Sequence, residues 1–197
     1  MEYINYILGF LAFILLLKIF VDSDYFFLTC IESSLDNEKY CVRQRENIND
    51  AVNLLSNMNI KLKQLVEYVH NKYPNKDNVK RLYEKYNPKR VVEINPLSNY
   101  TAYSENKGEK LAFCLNKKKN ITSNLIDENT LIFVGIHELA HIASVNRGHG
   151  DEFWSNFKFL LVNAVEAKIY KPVDYKKKNE VYCGMKITDN PYYDYNK

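Results

Sequence analysis

The chain has 197 residues, 46% of them hydrophobic, which is enough for one packed domain and a short additional segment. Its formal net charge of +3 is too small to indicate a nucleic-acid-binding protein. A basic, tyrosine-bearing stretch over residues 61–90 could contact nucleic acid or anionic lipid, but we favour a solvated helix face there and expect no nucleic-acid partner.

An apolar segment opens the chain. From Tyr6 to Leu17 every residue is apolar, and the segment continues after Lys18 through Val21. With the few residues before it, this stretch just reaches the length of a membrane-spanning helix. No Lys or Arg precedes it and no A-x-A site follows it, which argues against a cleaved signal peptide. We predict a single-pass membrane anchor over residues 1–22, with a hydrophobic helix packed on the domain as the alternative.

The middle of the chain predicts helices first and strands afterwards. Residues 23–45 read as a polar linker. Apolar residues at three- and four-residue steps then predict a long amphipathic helix over Asn47–Tyr73, and a shorter helix follows at Asn78–Tyr86. After a strand near Val91, two extended segments flank the turn-rich residues 105–109, so we expect them to pair as a hairpin.

The cysteines show no pattern of their own. Cys30, Cys41, Cys114 and Cys183 lack the C-x-x-C spacing of a zinc site, and four cysteines in a chain of this length do not make a disulfide scaffold. The sequence therefore predicts reduced, mostly buried thiols. Together with Lys18 at the end of the apolar segment, this weakly favours a domain on the cytosolic side of the membrane.

The pentapeptide His137-Glu138-Leu139-Ala140-His141 ends an apolar run that predicts a buried helix, with capping residues from Asp127 to Thr130. Two histidines four residues apart lie on one helical face, so both imidazoles can reach a metal ion at about 2.0–2.1 Å. The glutamate can deprotonate a water there without occupying a coordination position. A core helix with two hydrogen-bonded histidines is the less specific alternative.

A third histidine, His149, lies between two glycines, where a tight turn can direct its ring towards the first two. The metzincin pattern HExxHxxGxxH is excluded, because Ser144 and Arg147 occupy the positions of its glycine and its last histidine. Asp151 is an alternative ligand. We prefer it as the N-cap of the next helix, because a short acceptor followed by Glu152 suits that position.

The combination of HExxH, seven further residues and a histidine within GHGxEFW resembles the WLM and SprT-like zinc metallopeptidases. The likeness is greatest to WLM-like proteins of large DNA viruses. It extends from about Arg90 to Pro191 and includes the segment Tyr182-Cys183-Gly184-Met185. It implies a zinc-dependent endopeptidase whose Zn²⁺ ligands and general base are His137, His141, His149 and Glu138.

The implied fold is α+β, a minimal zincin-like domain in which the active-site helix packs on helices and a small antiparallel sheet. The domain would span residues 46–175, behind the anchor (1–22) and the linker (23–45), with a tail (176–197) folding back on it. The implied function is a membrane-anchored zinc metallopeptidase that hydrolyses protein or peptide substrates in a host-cell or virion membrane.

Substrate binding is less defined by the sequence. The hairpin around Tyr103–Leu115 is a candidate edge strand for binding a substrate backbone, by analogy with other zinc peptidases, although it could equally just cover the active helix. The donor that stabilises the tetrahedral oxyanion is open among four side chains, namely Tyr103, Arg147, Tyr182 and Tyr192.

Two other functions are compatible with the sequence. A non-catalytic membrane-tethered binding or structural protein could hold a structural zinc with Cys183 as fourth ligand, but it would not need a base such as Glu138 beside an open metal position. WLM and SprT-like proteins also include proteases that cleave DNA–protein crosslinks. The predicted membrane anchor argues against that function here.

Overall fold

The computed structural model describes residues 2–22, 27–119 and 122–194. Over these residues the chain forms five α-helices, which are α1 (Glu2–Asp22), α2 (Ile48–Lys72), α3 (Asp77–Lys85), α4 (Glu128–Ala143) and α5 (Asp151–Glu166). The strands of the described residues are β1 (Leu28–Glu32), β2 (Lys39–Arg43), β3 (Val91–Glu93), β4 (Ala102–Glu105), β5 (Lys110–Phe113), β6 (Glu180–Tyr182) and β7 (Met185–Ile187). The mixture of helices and a small sheet confirms the predicted α+β class.

The main sheet is mixed and not antiparallel as the sequence predicted. Its strand order is β1-β2-β3-β5-β4. β2 and β3 pair in parallel because α2 and α3 form a long crossover between them, and β3 also pairs in parallel with β5. The two hairpins, β1–β2 and β4–β5, are antiparallel, so the predicted β4–β5 hairpin is confirmed and leaves β4 at the edge of the sheet.

The predicted linker over residues 23–45 is wrong for the part that the structure describes. Residues 28–43 form β1 and β2, which pair in register from Leu28 opposite Arg43 to Glu32 opposite Lys39. Tyr40 and Val42 are buried under α2, while most of β1 stays accessible to solvent. With so few buried residues, a five-residue strand has too weak a hydrophobic pattern to be distinguished from a polar linker.

Helix α4 occupies the centre of the core, between α2, α3, α5 and the β4 edge of the sheet. Gly135 explains how it approaches α2, because a β-carbon at this position would lie 2.9 Å from a methyl group of Leu62 and 3.2 Å from the sulfur of Met58. The glycine therefore allows α4 and α2 to pack closely two residues before His137, and any side chain here would require Leu62 to move. This contact fixes α4, and with it the histidine face, relative to the longest helix of the domain.

The cysteine prediction is also wrong, because all four cysteines, each within the described ranges, are paired. Cys30 and Cys41 lie directly opposite each other across β1 and β2 and form one disulfide. Cys114 and Cys183, which are 69 residues apart in the sequence, form the other. The second pair forms because the β6–β7 hairpin packs beside β5, with the amide of Cys183 donating to the carbonyl of Asn116 at 3.0 Å.

Helix α1 stands apart from the domain. Among the described helices, α1 is long and apolar enough to cross a membrane, and none of its span Tyr3–Phe20 is buried. The alternative of a hydrophobic helix packed on the domain is therefore not supported. A signal sequence would have the same length and composition, so the anchor itself is a proposal.

Candidate metal centre

Helix α4 presents two histidines on one face. Asp127 caps its N-terminus by accepting a hydrogen bond from the amide of Thr130 at 2.9 Å, as the sequence predicts. The helix continues without interruption to Ala143, so His137 and His141 lie one turn apart with ring centroids separated by 4.9 Å.

The third histidine reaches the same point from a different element. His149 belongs to the segment 144–150 that joins α4 to α5, which we call the third-ligand loop. Its Nε2 lies 3.1 Å from Nε2 of His137, and one ring nitrogen from each of the three histidines lies within 4.8 Å of the others. The structure thus brings together His137, His141 and His149.

The donor set and its spacing fit a zinc ion. Two nitrogens bound to one tetrahedral Zn²⁺ are about 3.3 Å apart, close to the separation observed between His137 and His149. A direct hydrogen bond between two rings would have a similar length. A hydrogen bond between His137 and His149 does not explain why the ring of His141 also converges on the same point. A catalytic zinc site does explain it, because such sites have three protein ligands and one open position.

The surroundings keep the helix histidines neutral. Burial, together with the positive charge that His141 and His149 would carry, lowers the pKa of His137 to about 3. Burial and His149 likewise lower the pKa of His141 to about 4. The ring of Phe153, on α5, packs 4.3 Å from His141 and 4.8 Å from His137 and supplies part of this apolar environment. Neutral imidazole is the form that binds a metal, so these two ligands are available throughout the physiological pH range.

Glu138 lies beside the histidines in an environment that disfavours its charge. It is 5% exposed, and burial raises the pKa of its carboxyl to about 8. It nevertheless lines the same cavity as the histidines. A general base is most effective when its pKa is near the working pH, so both the position and the chemistry of Glu138 suit proton transfer.

The histidines open into a cavity of about 820 Å³. It is lined by the edge strand β4 with the residues just before it, and by the β6–β7 hairpin with the residues after it. Helix α4 and the third-ligand loop line it as well. Several apolar side chains face the space, namely Phe133, Val134, Trp154, Phe157, Met185 and Ile187. The cavity is therefore an open cleft with a polar centre and apolar flanks, as is typical of ligand-binding sites.

Three of the four oxyanion candidates, Tyr103, Arg147 and Tyr182, line this cavity, whereas Tyr192 is not among the lining residues. The hydroxyl of Tyr182 is already occupied, since it donates to the carbonyl of Thr101 and accepts from the amide of Cys114, both at 3.1 Å. Tyr182 therefore holds the C-terminal segment against β5, and its proton is used in the hydrogen bond to Thr101.

Two smaller predictions need correction. Asp151 is the first residue of α5 and not its N-cap, because the cap position is Gly150 and no side chain bonds there. Glu152 instead turns back and accepts hydrogen bonds from the amides of Val145 and Asn146. The sequence also predicts Trp154 as a core residue near the metal; it does pack 6.2 Å from the ring of His149, but it is 38% exposed and belongs to the cleft wall.

Sequence reasoning missed two groups at the site. The sequence marks Lys107 only as part of a turn, but in the structure it lines the cleft and contacts the third-ligand loop. The β6–β7 hairpin was expected near the cleft from the resemblance alone, and no local pattern marked Met185, Ile187 or Asp189 as lining residues. No local sequence pattern marks Lys107 or the hairpin residues, because both reach the site through tertiary packing.

No family model matches the chain. The chain is 28% identical to an uncharacterized protein of Acanthamoeba polyphaga mimivirus over 164 residues, which cover 81% of this chain and 82% of that protein. It is 33% identical to an uncharacterized protein of Invertebrate iridescent virus 6 over 93 residues, covering 47% of this chain and 51% of the relative. A protein of Invertebrate iridescent virus 3 matches at 32% over 104 residues, covering 48% of this chain and 64% of the relative. The relatives are thus viral proteins.

Among solved structures the chain is similar to Wss1 from Saccharomyces cerevisiae. The TM-score is 0.46 and the sequence identity 18%, over 64% of this chain and 88% of that one. A structure of a Wss1 mutant gives the same TM-score at 17% identity, over 66% and 92% of the two chains.

Proposed function

We propose that the protein is a zinc-dependent metallopeptidase of viral origin, anchored in a membrane by α1. The observation that carries this proposal is the convergence of three imidazoles beside a buried carboxyl in an open cleft. The HExxH pattern alone predicts two of these ligands. The position of His149 supports the third, because its approach requires the fold of the third-ligand loop.

The proposed roles follow from the positions of the residues. His137, His141 and His149 would hold the zinc ion, which when bound acts as a Lewis acid towards a carbonyl and acidifies water. Glu138 would accept a proton from the attacking water and later deliver it to the leaving amine. The cleft supports this role for Glu138, since its carboxyl borders the open space while its surroundings exclude most solvent.

The edge strand β4 would bind the substrate. Ala102–Glu105 has β5 on one side, lies at the end of the sheet and lines the cleft. An extended peptide could add to this edge by main-chain hydrogen bonds, which would place its backbone across the metal centre. Tyr103 and Arg147 remain the proposed donors to the developing oxyanion, because the hydroxyl of Tyr182 is engaged elsewhere.

A structural zinc protein is the competing function. Its version with Cys183 as fourth ligand is not compatible with the disulfide that Cys183 forms with Cys114. The open cleft over the histidines also favours catalysis, because structural zinc sites are closed by a fourth protein ligand.

The test uses the full-length chain purified in detergent. We expect one zinc per chain, and cleavage of an unfolded protein substrate that is abolished by a zinc chelator. Glu138→Gln should retain zinc and lose cleavage by at least about 100-fold, because it removes the general base. His149→Ala should lose zinc. The matched control is Glu109→Gln, which changes an exposed carboxyl of the β4–β5 turn paired with Arg90.

The results separate the candidate functions. Cleavage that persists in Glu138→Gln would remove Glu138 from the mechanism. Zinc binding without any cleavage in the wild type would favour the binding or structural protein, and absence of zinc would exclude the peptidase and favour a binding protein without a metal.

A further inference from the structure

The third-ligand loop is held in place by a side chain from a different part of the fold. Nζ of Lys107 lies within hydrogen-bonding distance of four backbone carbonyls around the end of α4. The distances are 3.3 Å to His141, 2.8 Å to Ser144, 3.2 Å to Val145 and 3.0 Å to Asn146. One of the acceptors is thus the carbonyl of a proposed zinc ligand.

These carbonyls need such a donor. The last carbonyls of a helix have no partner within the helix and carry its negative partial charge, so a lysine there both donates hydrogen bonds and complements the dipole. The three N–H groups of the ammonium are shared among four acceptors. Lys107 therefore fixes the direction in which the chain leaves α4 towards His149.

The opposite side of the loop is held by carboxylate and amide contacts. Glu152 accepts hydrogen bonds from the amides of Val145 at 2.7 Å and Asn146 at 3.0 Å, and these bonds lower the pKa of its carboxyl. Asn156 donates to Oγ of Ser144 at 2.9 Å. Lys107 binds the carbonyl oxygens, and Glu152 the amides, of the two peptide bonds Ser144–Val145 and Val145–Asn146. The loop backbone is therefore held from both sides.

The tip of the β4–β5 hairpin gives Lys107 a fixed origin. Asn106, Lys107 and Gly108 all have positive φ, at 46°, 59° and 112°. Gly108 approaches α3 so closely that a β-carbon would lie 2.6 Å from the carbonyl oxygen of Lys85, and its own carbonyl accepts from the amide of Asn87 at 3.0 Å. The turn is therefore clamped to the end of α3, and only a side chain as long as that of Lys107 spans from it to the loop.

We propose that Lys107 is a positioning residue that sets the third-ligand loop, and hence His149, relative to the edge strand β4. The proposal rests on the proposed zinc site. The β4–β5 hairpin thereby supplies both a wall of the cleft and Lys107, which orders the loop. The positions of the metal and of the substrate backbone are therefore set by the same hairpin. Lys107 contacts neither the imidazoles nor substrate in this role and acts through the backbone of the loop.

The experiment measures zinc affinity in the full-length protein by competition with a chromophoric chelator. We expect Lys107→Met to weaken zinc binding on the order of tenfold or more, the range found when groups that orient metal ligands are removed. Lys107→Arg, which keeps a cation with several donors, should stay close to the wild type. The matched control is Lys85→Met, because it removes a positive charge that faces Lys107 without removing a donor to the loop.

Two readouts separate positioning from general stability. The d–d spectrum of the Co²⁺-substituted protein should change in Lys107→Met and not in Lys85→Met, since it reports the arrangement of the ligands. Amide hydrogen exchange in the metal-free protein should become faster at Val145 and Asn146, and this measurement needs neither zinc nor activity. A lysine with only a structural role would lower thermal stability and leave the zinc affinity and the Co²⁺ spectrum of the folded chain unchanged.

The proposal fails if folded Lys107→Met binds zinc like the wild type. If methionine prevents folding, Lys107→Gln provides the same test, because it shortens the side chain and removes the charge. A wild type that binds zinc without cleaving peptides would refute the proposed function and leave this test intact. If the wild type binds no zinc, unchanged hydrogen exchange at Val145 and Asn146 in the variant overturns the role of Lys107.

Discussion

At the scale of single residues, Glu138 is the group whose chemistry depends most on its surroundings. The residue type and its place in HExxH predict a base, but the sequence does not show how its acidity is set. Burial on α4 raises the pKa of the carboxyl from 4.5 to about 8 in the metal-free protein. A cation at the three histidines would act in the opposite direction, because a nearby positive charge favours the carboxylate.

This raised pKa predicts a pH-dependent stability. The folded state keeps a proton on Glu138 that the unfolded state releases above pH 4.5, so stability is lost as the pH rises from there to about 8. In chelator-treated protein we expect Glu138→Gln to be more stable than the wild type at pH 8, by about 2–4 kcal/mol, and nearly equal to it at pH 5. His137 and His141 titrate in both proteins, so their contributions cancel.

Thermal unfolding of the two metal-free chains at both pH values measures this difference. Equal stability at pH 8 would show that the carboxyl is hydrated in the folded protein, contrary to its 5% exposure.

At the scale of secondary-structure elements, strand β3 carries the strongest electrostatic constraint in the described part of the sheet. Glu93 is fully buried and pairs with two guanidinium groups, Arg43 at 2.5 Å and Arg45. Its second oxygen also accepts from the backbone amide of Arg43 at 2.7 Å. Asn116 accepts from both arginines, so the network links β2 and β3 to the segment after β5.

Removing the central carboxylate should therefore be costly. Glu93→Ala would leave two buried guanidinium groups without their counter-charge, and we expect a loss of about 3–5 kcal/mol in the free energy of unfolding. The matched control is Glu109→Ala, whose partner Arg90 is exposed, with an expected loss of at most about 1 kcal/mol. Urea denaturation of both variants tests this. Similar losses in the two variants would mean that the β2–β3 network does not hold the sheet together.

At the scale of the whole molecule, one disulfide joins two strands that are already paired, Cys30 to Cys41, whereas the other joins two separate sheets. The bond between Cys114 and Cys183 ties the β6–β7 hairpin, one wall of the cleft, to the end of β5. Disulfides form in oxidising compartments. The pairing therefore removes the argument from cysteine chemistry for a cytosolic domain, and leaves only the weak argument from Lys18.

We expect protein isolated without reductant to contain no free thiol. Replacing Cys114 and Cys183 by serine should lower the free energy of unfolding by about 4 kcal/mol, because the bond closes a loop of 69 residues. Replacing Cys30 and Cys41, which are 11 residues apart, should cost about 1.5 kcal/mol less. Thiol alkylation under denaturing conditions, followed by chemical denaturation of both double variants, measures these effects. Four alkylated thiols in the untreated protein would restore the original prediction of reduced cysteines.

Elements with a long, periodic pattern could be predicted from the sequence alone. Helix α2 extends over Ile48–Lys72 where the apolar spacing predicts Asn47–Tyr73, and α4 begins at the cap that Asp127 provides. The β4–β5 hairpin was predicted because turn residues separate two extended segments. In each case the information is local, since periodicity, capping and turn chemistry act within a few residues.

Other features became clear only in the tertiary structure. The pairing of Cys114 with Cys183 and the contact of Lys107 with the end of α4 carry no local signal, because each joins elements that are far apart along the chain. The β1–β2 hairpin and the position of His149 are local, but the short strands have a weak pattern and the glycine turn allows the ring of His149 without fixing where it lies. Two of the proposed zinc ligands and the proposed base lie on one helix. The third ligand and the walls of the cleft come from the loop, hairpin and disulfide that the fold assembles around that helix.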